Sequence, residues 1–377
     1  MNTLQNSTSA SGTPSSDTDI TVMLVDDSAV IRGALSRVFE DIDGITVAKS
    51  VPDGELAIKV ATSAQPDIVI LDIEMPVMDG LTALPKILQA SPKTKVIMFS
   101  SLTEKGASVT LQALRLGAVE CLVKPSSATD VGKGSEFQRN LVGLIQNLVP
   151  HKRKDTAARA TTAAPFPAPV TKGAEIQLRP ETLIYKGKPG IVAIGSSTGG
   201  PQALFNVLKH CKGFDVPIII TQHMPPKFTK ILAEHIQQHT GIEAHEGAEG
   251  MVVEAGKAYV APGGFHMLFK NEGGRVTITL DDGPQVNFCK PAVDPMFESA
   301  INHYGQKVFG VILTGMGNDG IGGGTRLAKE NGRLIAQDEE TSVVWGMPGA
   351  VANAGVCNQI LPIDDIGPTI RKVVMGV

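Results

Sequence analysis

Short, almost wholly apolar runs alternate along most of the chain with longer stretches in which apolar residues recur at three- and four-residue spacing. The first pattern reads as buried strand and the second as amphipathic helix. Ahead of residue 150, the runs Ile20 to Val25, Ile45 to Ser50, Ile68 to Asp72, Val96 to Ser100 and Cys121 to Val123 predict strands. The stretches Ala29 to Asp41, Gly54 to Ser63, Gly80 to Gln89, Glu104 to Leu116 and Gly134 to Leu148 predict helices. Strands this apolar, separated by helices, make a parallel sheet covered on both faces. Right-handed crossovers then make it doubly wound. The alternation resumes at Gly190, with strands predicted at Ile191 to Ile194, Val216 to Thr221, Ala258 to Ala261, Val308 to Thr314 and Leu334 to Ala336. Arg275 to Leu280, preceded by Gly273-Gly274, predicts a hairpin strand. The fold class is therefore α/β, with two doubly wound parallel-sheet domains at residues 20–145 and 190–377.

Between them, residues 146–189 predict a flexible linker: Pro165, Pro167 and Pro169 with a run of Ala and Thr make an extended, poorly packed tether. Residues 146–190 hold eight basic and three acidic residues, read as a solvated stretch that could also lie on an acidic domain. Residues 1–19 are Ser/Thr/Asn-rich without an apolar core, so they predict a disordered tail and not a signal peptide. No apolar run reaches the roughly 18 residues of a membrane helix, so the chain is not expected to insert in a membrane. A net charge of −4 gives no general case for nucleic-acid binding. Cys121, Cys211, Cys289 and Cys357 are far apart and read as reduced thiols, which places the chain in the cytoplasm.

Chemistry enters at the strand ends, because open parallel sheets bind ligands outside the carboxyl ends of their strands. In the first domain Asp26 and Asp27 end one strand, Asp72 another, Ser100 and Ser101 the next, and Lys124-Pro125 the last. An Asp pair after a strand is commonly a helix cap, and Lys-Pro a turn. Such residues on all four of these strand ends instead point to one site. Three converging carboxylates require a cation, and an all-oxygen set suits Mg²⁺. One central carboxylate is then a good acceptor for a phosphoryl group. Residues 20–145 resemble the receiver domain of two-component response regulators through Val25-Asp26-Asp27-Ser28, Leu71-Asp72-Ile73-Glu74-Met75-Pro76, Phe99-Ser100-Ser101 and Val123-Lys124-Pro125. The resemblance implies Asp72 as phosphoacceptor, with Asp26, Asp27 and Asp72 around Mg²⁺. It also implies Ser100 and Lys124 as switch residues and a histidine kinase as phosphodonor.

In the second domain Gly195-Ser196-Ser197-Thr198-Gly199 matches G-x-S-x-G between a strand and a helix opened by Pro201. The bland alternative is a tight turn or a phosphate-holding helix start. The strand-end rule adds His223, in Thr221-Gln222-His223-Met224-Pro225, and Asp319, after the Val308 strand. A serine hydroxyl needs a base, and a carboxylate orients that base. Backbone donors for an oxyanion would come from the glycine-rich turns at Thr198 and Met316. His266 rivals His223 as base, and Asp294 rivals Asp319. His235 and His239 share a helix face but lack an H-E-x-x-H pattern, so they read as a solvated face.

Residues 190–377 resemble the catalytic domain of chemotaxis-type protein-glutamate methylesterases. The motifs are Gly195 to Pro201, Gln222-His223-Met224-Pro225, Val260-Ala261-Pro262-Gly263, Pro291-Ala292-Val293-Asp294 and Leu313 to Gly320. The resemblance implies Ser197 as nucleophile, His223 as base, Asp319 as its orienter and the Met316 N–H as oxyanion donor, with no cofactor in this domain. It implies a phosphorylation-activated hydrolase of glutamate methyl esters, and of chosen glutamines, on methyl-accepting chemoreceptors. It implies too that the unphosphorylated receiver obstructs the catalytic edge. A monomer is expected. The sequence departs from the family at Phe288-Cys289-Lys290-Pro291-Ala292, where His-Arg-Pro-Ser is more usual. A hydrolase of another ester or amide, or a non-enzymatic regulator that only binds receptors, are the alternatives.

Overall fold

The structure is a computed structural model that describes residues 19–100, 104–124, 134–150 and 176–376. The expected tail up to residue 18, Ser101, Pro125 and the linker's proline-rich part lie outside the described residues.

The first sheet holds β1 (Ile20–Val25), β2 (Ile45–Val51), β3 (Ile68–Asp72), β4 (Lys95–Ser100) and β5 (Glu120–Val123), in the order β2-β1-β3-β4-β5. Every pair in it is parallel. The helices are α1 (Ala29–Phe39), α2 (Gly54–Ala64), α3 (Gly80–Ala90), α4 (Glu104–Arg115) and α5 (Glu136–Leu148). Side-chain caps fix where several begin. Ser28 accepts from Ile31 N at the start of α1, and Asp79 accepts from Thr82 N at 2.7 Å at the start of α3. Each such cap is worth ~1 kcal/mol. The last helix starts later than its periodicity predicts because Ser135 caps it, accepting from Gln138 N at 3.1 Å.

The second sheet holds β6 (Ile191–Ser196), β7 (Ile218–Gln222), β8 (Glu243–Glu246), β9 (Lys257–Val260), β12 (Val308–Ile312), β13 (Arg333–Gln337) and β14 (Gln359–Leu361). Their order is β14-β13-β12-β6-β7-β9-β8, again all parallel. A separate antiparallel hairpin pairs β10 (His266–Glu272) with β11 (Arg275–Asp281). The helices that matter below are α6 (Gly200–Leu208), α7 (Phe228–Thr240), α8 (Val293–Tyr304) and α9 (Ile321–Lys329). The sequence pattern does not predict β8 or β14, since both are short edge strands, β8 mostly polar and β14 only three residues long.

Part of the segment expected to be a loose linker is packed. Arg179 donates to the carbonyls of Ala328 and Gly332 at 2.7 and 3.1 Å, and its own N–H bonds to Cys357 O. Its guanidinium thereby satisfies carbonyls at the C-terminal end of α9, a role that composition does not reveal.

Each sheet has a point where its strand order reverses direction. In the first sheet the reversal lies between β1 and β3, and in the second between β6 and β12. Crevices at such points open between loops that run to opposite faces of the sheet. The residues discussed next lie at these two points.

Candidate active site

Ser197 directly follows β6 and is partly exposed, while its neighbours Ser196 and Thr198 are buried. Its backbone is fixed from several sides. Ser197 N donates to Thr314 O at 3.0 Å, and its carbonyl accepts from Gly200 N at 2.7 Å and from Gln222 Nε2 at 2.9 Å. Gly200 is needed at the helix start because a Cβ there would lie 1.9 Å from Gln222 Oε1. The following residue is anchored as well, since Thr314 Oγ1 donates to Thr198 O at 2.9 Å. Among the described residues no backbone hydrogen bond consumes the Thr198 or Met316 N–H.

His223 follows β7 and Asp319 follows β12, the strands that flank β6. His223 Nε2 lies 2.8 Å from Asp319 Oδ2. A carboxylate can only accept, so Nε2 carries the proton in that bond and Nδ1 is the free base. Asp319 is 1% exposed. It is held by four donors: His223, Val293 N at 2.5 Å, Asp294 N at 3.1 Å and Asn287 Nδ2 at 3.0 Å. Val293 and Asp294 open α8, so the carboxylate sits at a helix N-terminus. Burial pushes the Asp319 carboxyl up, but these donors outweigh it and hold it below the usual range. For His223 burial opposes the charged ring. Cys289 and Asp319 on either side favour it, and the net shift is upward.

The rival residues have other tasks. His266 is buried, accepts from Ala292 N at Nδ1 and bonds Pro284 O through Nε2 at 3.0 Å, so it anchors the segment between β11 and α8. Asp294 turns its carboxylate to α9, accepting from Gly323 N at 2.8 Å.

At the other switch point, ligand atoms of Asp26, Asp27 and Asp72 lie within 4.8 Å of one another. Lys124 Nζ lies 3.0 Å from Asp26 Oδ2 and 2.7 Å from Asp72 Oδ2. Burial, opposed by Lys124 and reinforced by Asp26, pushes the Asp72 carboxyl up to about 6. Buried carboxylates in excess of their one lysine are the donor set a hard divalent cation fits. The bland reading of the Asp pair as a helix cap does not hold: Ser28 caps α1, and Asp26 Oδ1 accepts from Ser28 N at 2.9 Å. Ser100 ends β4 and is buried.

Two family models match: the CheB methylesterase over residues 192–370 and the response regulator receiver domain over residues 22–133. The protein-glutamate methylesterase/protein-glutamine glutaminase of group 2 operon from Rhodospirillum centenum is 46% identical over 99% of this chain and 98% of its own. A relative from Paramagnetospirillum magneticum, protein-glutamate methylesterase/protein-glutamine glutaminase 1, is 48% identical over 96% of this chain and 98% of its own. The chain belongs to the CheB methylesterase family. A crystal structure of the Thermotoga maritima CheB methylesterase catalytic domain is similar to half of it, with 40% identity over 50% of this chain and 100% of that one at a TM-score of 0.48.

In this CheB-family chain the two sheets are not independent. Helix α4 packs on α6 and α7. Gln202 of α6 donates to Leu114 O and Ala118 O, and Arg115 lies 2.7 Å from His239 Nε2. His239 was expected on a solvated face. It is exposed there and also bonds Arg115 of the receiver, and its neighbour His235 meets it edge-on at 5.8 Å. Val344 is buried in the apolar cluster of the first sheet, and Val343 and Met316 pack against it. Burial pushes the carboxyl of Glu120, the first residue of β5, up, and Thr198 and His223 lie close enough to oppose that shift. The receiver edge therefore lies over both turns that flank Ser197. Sequence reasoning missed Glu120, Gln202 and Asn287, which meet their partners only across the tertiary fold. It noted Cys289 as a reduced thiol and as a departure from the family, without a place in the site. The structure places Cys289 Sγ 3.4 Å from His223 Nδ1.

Proposed function

We propose that this chain is a phosphorylation-gated serine hydrolase that converts glutamate methyl esters, and chosen glutamines, to glutamate on methyl-accepting chemoreceptors. The observation that carries it is the His223–Asp319 pair at 2.8 Å beside the turn that presents Ser197, at the switch point of the second sheet. Ser197 Oγ attacks the γ-carbonyl carbon while His223 Nδ1 takes its proton. The Thr198 and Met316 N–H groups face the oxyanion, each worth roughly 2.7–4 kcal/mol of barrier if well aimed. Collapse breaks the bond to methoxide, which leaves as methanol with the proton from His223. Water, deprotonated by the same nitrogen, then releases glutamate and restores Ser197. With a glutamine substrate the leaving group is ammonia.

Asp72 is the phosphoacceptor in this reading, with a histidine kinase as donor. Asp26, Asp27 and Asp72 would hold Mg²⁺, which supplies positive charge against the arriving phosphoryl group. Lys124 and Ser100 respond to the new charge. The contacts of Glu120, Gln202 and Arg115 form the element it biases, closed before phosphorylation and loosened after it. One chain supplies both gate and edge, which supports a monomer. Among the described residues no helix is long and apolar enough to cross a membrane, and the proposed site of action is cytoplasmic.

Methanol release from methylated receptor membranes tests this. A small acyl phosphodonor with Mg²⁺ should raise the rate in the natural chain, and Asp72→Asn should keep the basal rate but lose the rise. Equal stimulation of both proteins would remove the receiver as the switch. The pH profile follows from His223. Its neutral form is the base and its pKa is raised above 6.5, so the rate should climb through one ionisation above that value. By linkage, the same raised pKa stabilises the fold below 6.5, and that stabilisation is lost as pH rises through the folded-state value. A limb at or below the ordinary histidine value would contradict the pairing.

A further inference from the structure

Four cysteines lie among the described residues, Cys211 and Cys357 buried and Cys121 and Cys289 partly exposed. Burial pushes the thiols of Cys121, Cys211 and Cys357 up to about 12. Cys289 is in a different position. It lies between β11 and α8, is partly exposed, and sets its sulfur 3.4 Å from Nδ1 of His223. The other ring nitrogen is committed to Asp319. The single nitrogen able to take a proton from Ser197 is thus the one that a thiol already contacts.

The surrounding segment holds the sulfur there. Val286 and Cys289 exchange backbone hydrogen bonds of 2.9 and 3.1 Å. Asn287 and Phe288 between them both adopt positive φ, 52° and 64°, which side-chain-bearing residues take up only when their surroundings impose it. What imposes it is visible: Asn287 Nδ2 bridges Asp294 Oδ2 at 2.9 Å and Asp319 Oδ1 at 3.0 Å. Lys290 ties the far end of the turn to Asp282 at 2.8 Å. The carboxylate that orients His223 therefore also fixes the turn that carries Cys289. A thiol beside an imidazole, reachable from solvent, is the arrangement that makes a cysteine reactive.

We propose that Cys289 is a redox modification site for hydroperoxides, and that its oxidised form withholds His223 from Ser197. The proposal rests on the reading of His223 as the base for Ser197. In the step, His223 Nδ1 takes the thiol proton and the sulfur attacks one peroxide oxygen. A sulfur–oxygen bond forms as the oxygen–oxygen bond breaks. The leaving oxygen takes the proton from His223 and departs as water or an alcohol. Sulfur loses two electrons, the peroxide gains them, and Cys289 becomes a sulfenic acid. Its hydroxyl donates to Nδ1 and occupies the lone pair that Ser197 requires. An added dithiol reduces the sulfenic acid, through a mixed disulfide, and returns the free thiol.

The test uses the full chain with phosphodonor and Mg²⁺, treated with hydrogen peroxide. Two quantities are read. One is trapping of sulfenic acid by dimedone, located by peptide mass. The other is the rate at which a fluorophosphonate labels Ser197, each protein being compared with its own untreated rate. Dimedone should label Cys289 and spare Cys121, Cys211 and Cys357. Labelling of Ser197 should fall about tenfold or more in the natural chain, recover with dithiothreitol, and keep its untreated rate in Cys289→Ala. His223→Gln should slow adduct formation at Cys289 about tenfold, which a cysteine with only a packing role would not show. Absence of the adduct from Cys289, or equal peroxide sensitivity of Cys289→Ala and the natural chain, overturns the proposal. If untreated protein fails to take the fluorophosphonate, the reading of Ser197 and His223 falls. The adduct at Cys289 and its dependence on His223 still decide whether the thiol site exists.

Discussion

Ser197→Ala should reduce methanol release by on the order of 10⁴-fold or more while leaving the protein folded. The size follows from what the hydroxyl does. Without Oγ there is no covalent intermediate, and His223 has only water to activate. The backbone donors at Thr198 and Met316 remain, so a small residual rate over the uncatalysed reaction is expected. The fold should be indifferent. The hydrogen bonds that position residue 197 run through its backbone, from Ser197 N to Thr314 O and from Gly200 N to Ser197 O. Its side chain is partly exposed and supports nothing beneath it. A change in unfolding free energy within about 0.5 kcal/mol is the expectation for such a position. Larger side chains are another matter: a Cβ on Gly315 would come within 2.8 Å of Ser197 Cβ, so there is little room on that side. Activity of the Ala variant within a few-fold of the natural chain would remove Ser197 as nucleophile. Loss of cooperative unfolding would mean that the activity loss reports misfolding and not chemistry.

The architecture was legible because buried parallel strands leave a strong trace. Runs such as Ile68 to Asp72 and Ile191 to Ile194 admit few other readings, and both sheets formed from them. The strand-end rule put Ser197, His223 and Asp319 at one edge, where the structure pairs the last two, and separately gathered Asp26, Asp27, Asp72 and Lys124, without any distance being known. What sequence order could not show was which of two similar residues faces the crevice. His266 and Asp294 also stand next to the edge, and only the fold turns His266 to Pro284 and Asp294 to α9. Contacts between the two sheets were less legible still. Glu120 and His239 carry no motif, and their positions depend on how α4 packs on α6 and α7. Short polar edge strands and the ordered stretch around Arg179 escaped for a related reason: backbone pairing and single long-range hydrogen bonds leave little mark on apolar periodicity.

Asp319→Asn should cost about 10³–10⁴-fold in turnover and also destabilise the chain, because the carboxylate is asked to accept from both sides at once. Oδ2 receives His223 Nε2 and Val293 N, and Oδ1 receives Asp294 N and Asn287 Nδ2. An amide has one accepting oxygen. If its NH₂ replaces Oδ2, it faces two donors unless His223 turns Nε2 into an acceptor, which puts the proton on Nδ1. That tautomer cannot take a proton from Ser197. If the NH₂ replaces Oδ1, it opposes the first turn of α8 and the Asn287 amide, and buried donors go unpaired at about 1–3 kcal/mol. Neither orientation escapes a loss. The pH behaviour separates the charge from the shape. Asp319 favours the protonated ring, so its neutralisation should lower the His223 pKa and move the limb of the rate profile to lower pH, as followed by imidazole proton resonances. The stability difference between the two proteins has the opposite dependence. The folded-state pKa of Asp319 is depressed, so its contribution is present above the unfolded value of 3.8 and is lost as pH falls through the folded one. Thermal unfolding of both proteins should converge on acidification. If turnover fell but the His223 resonance did not move, Asp319 would be holding the turn and not the base.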